Sequence, residues 1–152
     1  MAHRTNEEET DDDPGERPVT AYTMRVATAL PFEAAVARMR EALHEQGFGV
    51  LTEIDVQGTL WEKLGVDVPR QVILGACRPQ LAHQALAAAP SIATLLPCNV
   101  AVRESAQGGA IVEVIDPDTM SRLEDRPEIA DIAAEARLRL RAALDRLVLQ
   151  EA

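Results

Sequence analysis

The sequence predicts an α+β domain: one mainly antiparallel sheet of about five strands, with helices packed on one face. Three observations predict it. Several short runs alternate apolar and polar residues, the period of a strand with one buried face. Longer runs between them repeat every three to four residues, the period of an amphipathic helix. Late in the chain, CNVAVRES and AIVEVIDP are joined only by AQGG, a hairpin connection that imposes antiparallel pairing. A doubly wound parallel sheet fits less well, because that hairpin would need an antiparallel edge.

The elements follow in the order β-α-β-(α)-β-α-β-β-α. AYTMRVATAL (21–30) alternates, with Tyr22, Met24, Val26 and Thr28 on one face, and Pro31 stops it. PFEAAVARMREALHEQGF places Phe32, Val36, Met39 and Leu43 at helical spacing. Pro31 suits the first turn, Glu33 the positive end of the helix dipole and Gly47 the C-terminal cap. GVLTEIDV (49–56) reads as a strand with Val50, Thr52, Ile54 and Val56 on one face and Leu51, Glu53 and Asp55 on the other. GTLWEKLGV (58–66) fits a short helix with Leu60, Trp61 and Leu64 turned inward. Trp61, the chain's only tryptophan, then anchors it to the core or to a second subunit. RQVILGAC is almost continuously apolar, as an interior strand is. PQLAHQALAAAPSIATLL is helical and broken by Pro90. PEIADIAAEARLRLRAALDRLVL closes the chain, with Ile129, Ile132, Ala133, Ala136, Leu140, Ala143, Leu144 and Leu147 in one stripe.

A chain of 152 residues makes one domain, expected over 21–152, after an acidic tail over 1–20. That tail carries seven acids and two arginines, half of the net charge of −10, and its composition is that of a disordered, solvated segment. The charge argues against a phosphate-backbone partner. Aromatic content of 3% argues against a stacking platform for single strands, so no nucleic acid is expected. No 18-residue apolar stretch and no basic-then-apolar leader is present, so neither a membrane span nor export is expected. Two cysteines without an export signal then suggest free thiols in the cytoplasm. Motifs for nucleotide hydrolysis, dinucleotide binding, zinc-dependent proteolysis and serine esterase chemistry are absent.

The stretch EQGFGVLTEIDVQGTLWEKLGVD, followed in order by ILGAC, LAHQAL, LLPCNV and VIDPDTM, resembles the domain of unknown function 302 (DUF 302) family from about Met24 to Leu147. The resemblance implies a compact α+β domain with helices on one side of a mainly antiparallel sheet, often paired as a homodimer. It implies no particular reaction. After the first cysteine it implies a polar residue such as Asn, where this chain has Arg78.

Both cysteines stand at junctions between elements. Cys77 ends a strand just before a helix with Pro79 at its first position, and the helix dipole and Arg78 both favour a thiolate there. Cys98 opens a strand just after a helix. If those strands are antiparallel neighbours, both sulfurs reach one edge of the sheet, and Met120 in DPDTM joins them if the following loop lies there too. Such sulfurs suit a soft metal, copper or zinc, or another small ligand; alternatively they cycle between dithiol and disulfide in a redox enzyme. Against both stands the plain expectation that buried cysteine is a small hydrophobe in a structural or interaction module. His83 and Asp116 are second-tier site residues with Arg78. His83 sits more than a helical turn from Cys77, and Asp116 before Pro117 is explained by capping a turn. Glu53 and Asp55 share a strand face; paired carboxylates can do acid–base chemistry, but with nothing adjacent to suggest a pocket a solvated face is the expectation.

Overall fold

A computed structural model of the chain describes residues 20–149. The expected acidic tail, apart from Thr20, lies outside the described residues. Among the described residues, five strands, β1 (Thr23–Thr28), β2 (Gly49–Asp55), β3 (Gln71–Cys77), β4 (Cys98–Glu104) and β5 (Ala110–Ile115), form one sheet in the order β1-β5-β4-β3-β2, with every pair antiparallel. Five α-helices among the described residues connect or follow them: α1 (Phe32–Glu45), α2 (Val56–Leu64), α3 (Pro79–Ala88), α4 (Asp118–Leu123) and α5 (Pro127–Leu149). A 3-10 helix spans Pro90–Leu95. The architecture is the α+β one expected, in the expected order, with α4 added.

The core lies between one face of the sheet and the layer formed by α1 and α5. Alternation gives that face Val72, Leu74 and Ala76 from β3, Val100 and Val102 from β4, and Val112 and Val114 from β5. Helix α5 contributes Leu140, Ala143, Leu144 and Leu147 from the expected stripe, and α1 contributes Ala35, Met39, Ala42 and Leu43. Gly47 follows α1 at φ 84°, a left-handed conformation in which a Cβ would be strained, so the helix ends where glycine stands. The far face of the sheet is polar at its centre, where Arg103 pairs with Glu113 at 2.8 Å and Thr23 donates to the same carboxylate.

Three expectations about local structure fail for physical reasons. In β2 the pairing with β3 slips between Val50 and Thr52, so Leu51 is an extra residue. Val50 opposes Ala76 on the core face, but beyond the bulge Glu53 opposes Leu74 and Asp55 opposes Val72. Glu53 and Asp55 therefore turn toward the helical layer, while Thr52 and Ile54 turn away from it. Val56 is no longer in the strand; it begins α2, with Asp55 as the N-cap whose carboxylate accepts from the Gly58 amide at 3.0 Å. Helix α2 packs on β3 and β2, apart from the helical layer, and buries no residue fully. Trp61 is 61% exposed and Leu64 is exposed too, so neither anchors α2 to the core. Residues 118–123, expected as loop, form α4. Six residues are too few for a helical period to show in a sequence.

Candidate functional site

Strands β3 and β4 are antiparallel neighbours, and Ala76 pairs with Cys98. Cys77 is one residue further along, which sets its Cα about 6 Å from that of Cys98 by strand geometry. Both junctions arise locally. β3 ends because Arg78 adopts an extended conformation as the N-cap of α3 and Pro79, which lacks an N–H to donate, occupies the first turn. β4 begins after the 3-10 helix and Pro97. Both cysteines are free; Cys98 is buried and Cys77 half-buried.

Cys77, Cys98 and Met120 line one cavity of about 30 Å³, together with Arg78 and apolar residues that include Phe48, Leu81 and Leu96. That volume is the share of a single water molecule in the liquid, room for one small ligand or ion. Cys98 and Met120 also wall a second apolar cavity of about 70 Å³, between Leu95, Ile115, Pro117 and Leu123. Met120 comes from α4 and packs on the small cluster of Ala85, Ala89, Ile92 and Ile129. Asp116 holds α4 in place twice over. Its carboxylate accepts from the Asp118 amide at 3.0 Å and pairs with Arg137 of α5 at 3.1 Å. The turn-capping role expected of Asp116 is thus present, with an added tie to α5.

Burial pushes the Cys98 thiol up to about 11, and the neighbouring Cys77 charge adds to the rise. Cys98 is therefore a protonated thiol at neutral pH. Arg78 is the charged residue of the lining. Its guanidinium runs beside Gly47, where Nη1 fills the space a Cβ would occupy, and its buried Nε has no hydrogen-bond partner among the described residues. The geometry thus gathers two thiols, one thioether and one fixed positive charge. His83 is exposed and is not on this lining, so the structure does not bring it to the cysteines; His44 is exposed as well.

A family model described as "Domain of unknown function DUF302" matches residues 22–147. The chain belongs to the DUF302 family. A crystal structure of an uncharacterized conserved protein DUF302 from Bacillus stearothermophilus is similar over 84% of this chain and 99% of that one, at 30% identity and a TM-score of 0.78. No curated protein matches the chain. The DUF302 fold is thereby shown in a solved relative, while the chemistry rests on side chains in this chain. No helix among the described residues is long and apolar enough to cross a membrane.

Sequence reasoning passed over one feature of this DUF302 domain. Glu53 and Asp55 are exposed, as a solvated face predicts, but they also line a cleft of about 270 Å³ beside Phe32 and Val36 of α1. The signal was the pairing itself; what hid it was the bulge at Leu51, which sends both carboxylates toward α1.

Proposed function

We propose that this DUF302 protein is a small binding protein whose ligand is a soft monovalent metal ion, Cu(I), held by the sulfurs of Cys77, Cys98 and Met120. The observation that carries the reading is that these three residues line a single ion-sized cavity. Two thiolates and a thioether form a soft set of low coordination number, which suits Cu(I). Zinc prefers four nitrogen, sulfur or oxygen donors. Among the described residues no group of three or more His, Cys, Asp and Glu side chains is placed to hold a metal. Charge balance supports the same choice. Two thiolates around Cu(I) leave one negative charge, and Arg78 on the lining offsets it. Binding must displace the Cys98 proton, so affinity rises with pH below about 11.

The test is anaerobic competition against a chromophoric Cu(I) chelator. One equivalent should bind, each of Cys77→Ser and Cys98→Ser should weaken it more than about 10-fold, and Met120→Leu should act in the same direction while conserving volume. Copper held equally well by both serine variants sinks the reading. If neither variant nor wild type holds copper and the variants lose only a little stability, a structural or interaction module remains. Dithiol–disulfide cycling is the second reading, supported by the two free thiols lining one cavity. Here a substrate disulfide is the two-electron oxidant: Cys77 attacks it and displaces one substrate thiol. Cys98, protonated at neutral pH, gives up its proton as it attacks the mixed disulfide, closing Cys77–Cys98 and releasing the second substrate thiol.

A cytoplasmic location and a homodimer belong to the same proposal. Two free thiols suit a reducing compartment. The outer edge of β2 is unpaired within the sheet, and Leu51, Ile54, Trp61, Leu64 and Val66 are exposed within one short segment. A strand edge is self-complementary about a two-fold axis, which suits a second copy of this chain. Sedimentation should show a dimer that Trp61→Glu converts to monomer; a wild-type monomer at micromolar concentration rules this out.

A further inference from the structure

We propose that the cleft beside β2 is a second binding site, and that it takes a small organic ammonium ion with an aliphatic body. It is separate from the sulfur cavity. β3 carries Gln71 and Val72 into the cleft at one end and Cys77 into the cavity at the other, roughly 20 Å away along the strand. Phe32 and Val36 of α1 and Val72 of β3 supply apolar lining, and Glu53, Asp55 and Gln71 supply oxygen acceptors among them, with Asp55 directly beside its cross-strand partner Val72. This mixture of apolar lining with a few convergent polar groups is the usual build of a small-molecule site, and about 270 Å³ is near the lower end of such volumes.

The sign of the ligand's charge follows from the ion pairs. Glu33 on the rim is paired with Arg70 at 2.8 Å, and the Arg70 guanidinium is stacked over the Phe32 ring at 4.5 Å, which closes that end of the cleft with a neutral unit. Glu53 is paired with Arg40 of α1. Asp55 is the lining carboxylate with no cationic partner among the described residues; it accepts from the Gly58 amide that it caps. One carboxylate without a cationic partner thus remains on a lining that also holds Gln57, Gln71 and apolar residues, its charge offset in part by the α2 N-terminus that it caps. A primary ammonium supplies three donors for Asp55 and the Gln71 carbonyl, and an alkyl chain of a few carbons covers Val36 and Val72. The net charge of −10 steers cations toward the protein generally.

An amide chemical-shift titration with n-butylammonium chloride tests the site, with n-butanol and sodium butyrate as neutral and anionic analogues of the same body. The expected result is saturable binding in roughly the millimolar range, with shifts concentrated at Phe32, Gln57 and Gln71, and much weaker effects of either analogue. Asp55→Asn should weaken n-butylammonium about 10-fold or more. Asn caps a helix as well as Asp does, so α2 stays in place while the charge is removed. Glu62→Gln, an exposed acid outside the cleft, should change nothing. No saturation, equal binding of butanol or butyrate, or an unchanged affinity in Asp55→Asn overturns the proposal.

Discussion

Leu140→Ala is expected to lower the unfolding free energy by about 3–4 kcal/mol, whereas Leu138→Ala, two residues earlier in the same helix, should change it by less than about 0.5 kcal/mol. The two leucines differ in what they touch. Leu140 is 0% exposed and belongs to the cluster that joins α5 to Met39 and Leu43 of α1 and to Val100 and Val112 of the sheet. Leu138 is 73% exposed on the opposite side of the helix. Truncating Leu140 removes buried methyl groups and leaves a void, because a sheet face already filled by β-branched residues has little freedom to collapse inward. Helix propensity does not oppose the effect, since alanine is slightly the better helix former in both places. Urea denaturation should show the midpoint falling for Leu140→Ala with an unchanged slope. Equal midpoints for the two variants would mean that α5 does not seal the core as described.

The same contrast shows which parts of this fold are legible in a sequence. The stripe from Ile129 to Leu147 is readable because it repeats over more than five turns, and the structure buries its members with Ile132 half-covered. The β4–β5 hairpin is readable because AQGG leaves room for nothing but a turn. The bulge at Leu51 is not, because one extra residue in a strand carries no compositional mark, yet it reverses the faces of every later residue in β2. Trp61 and Leu64 also mislead, because their spacing is that of an amphipathic helix and only tertiary placement shows that α2 stands off the helical layer. For the sulfur cavity, the sequence supplied the residue types and a condition on pairing; the register of Ala76 with Cys98 and the folding of residues 118–123 into α4 supply the convergence. The cleft at Asp55 was hidden by the bulge that creates it.

In metal-free protein, stability is expected to fall as the pH rises from about 9 to about 11, by roughly 2–3 kcal/mol in total, with Cys98 as the source. The sign follows from proton counting. The Cys98 thiol ordinarily titrates near 9.0 and in the fold is pushed up to about 11, first by burial and then by the Cys77 charge. Between those values the unfolded chain has released its proton and the folded chain has kept it. The unfolded state therefore binds fewer protons, and the unfolding free energy declines with pH. Below about 9 the contribution is complete; above about 11 it is gone. Cys98→Ala removes the titrating group, so its stability should be flatter over the same interval despite a lower value at neutral pH from the lost packing. Cys77→Ser should leave the slope in place but narrow the interval, because the smaller, electrostatic part of the rise disappears with the neighbouring thiolate. The measurement is chemical denaturation at half-unit steps from pH 7.5 to 11 in the presence of a reductant. A Cys98→Ala curve as steep as the wild type's would place the titration elsewhere and would mean that the thiol beside the cavity is better solvated than its burial indicates.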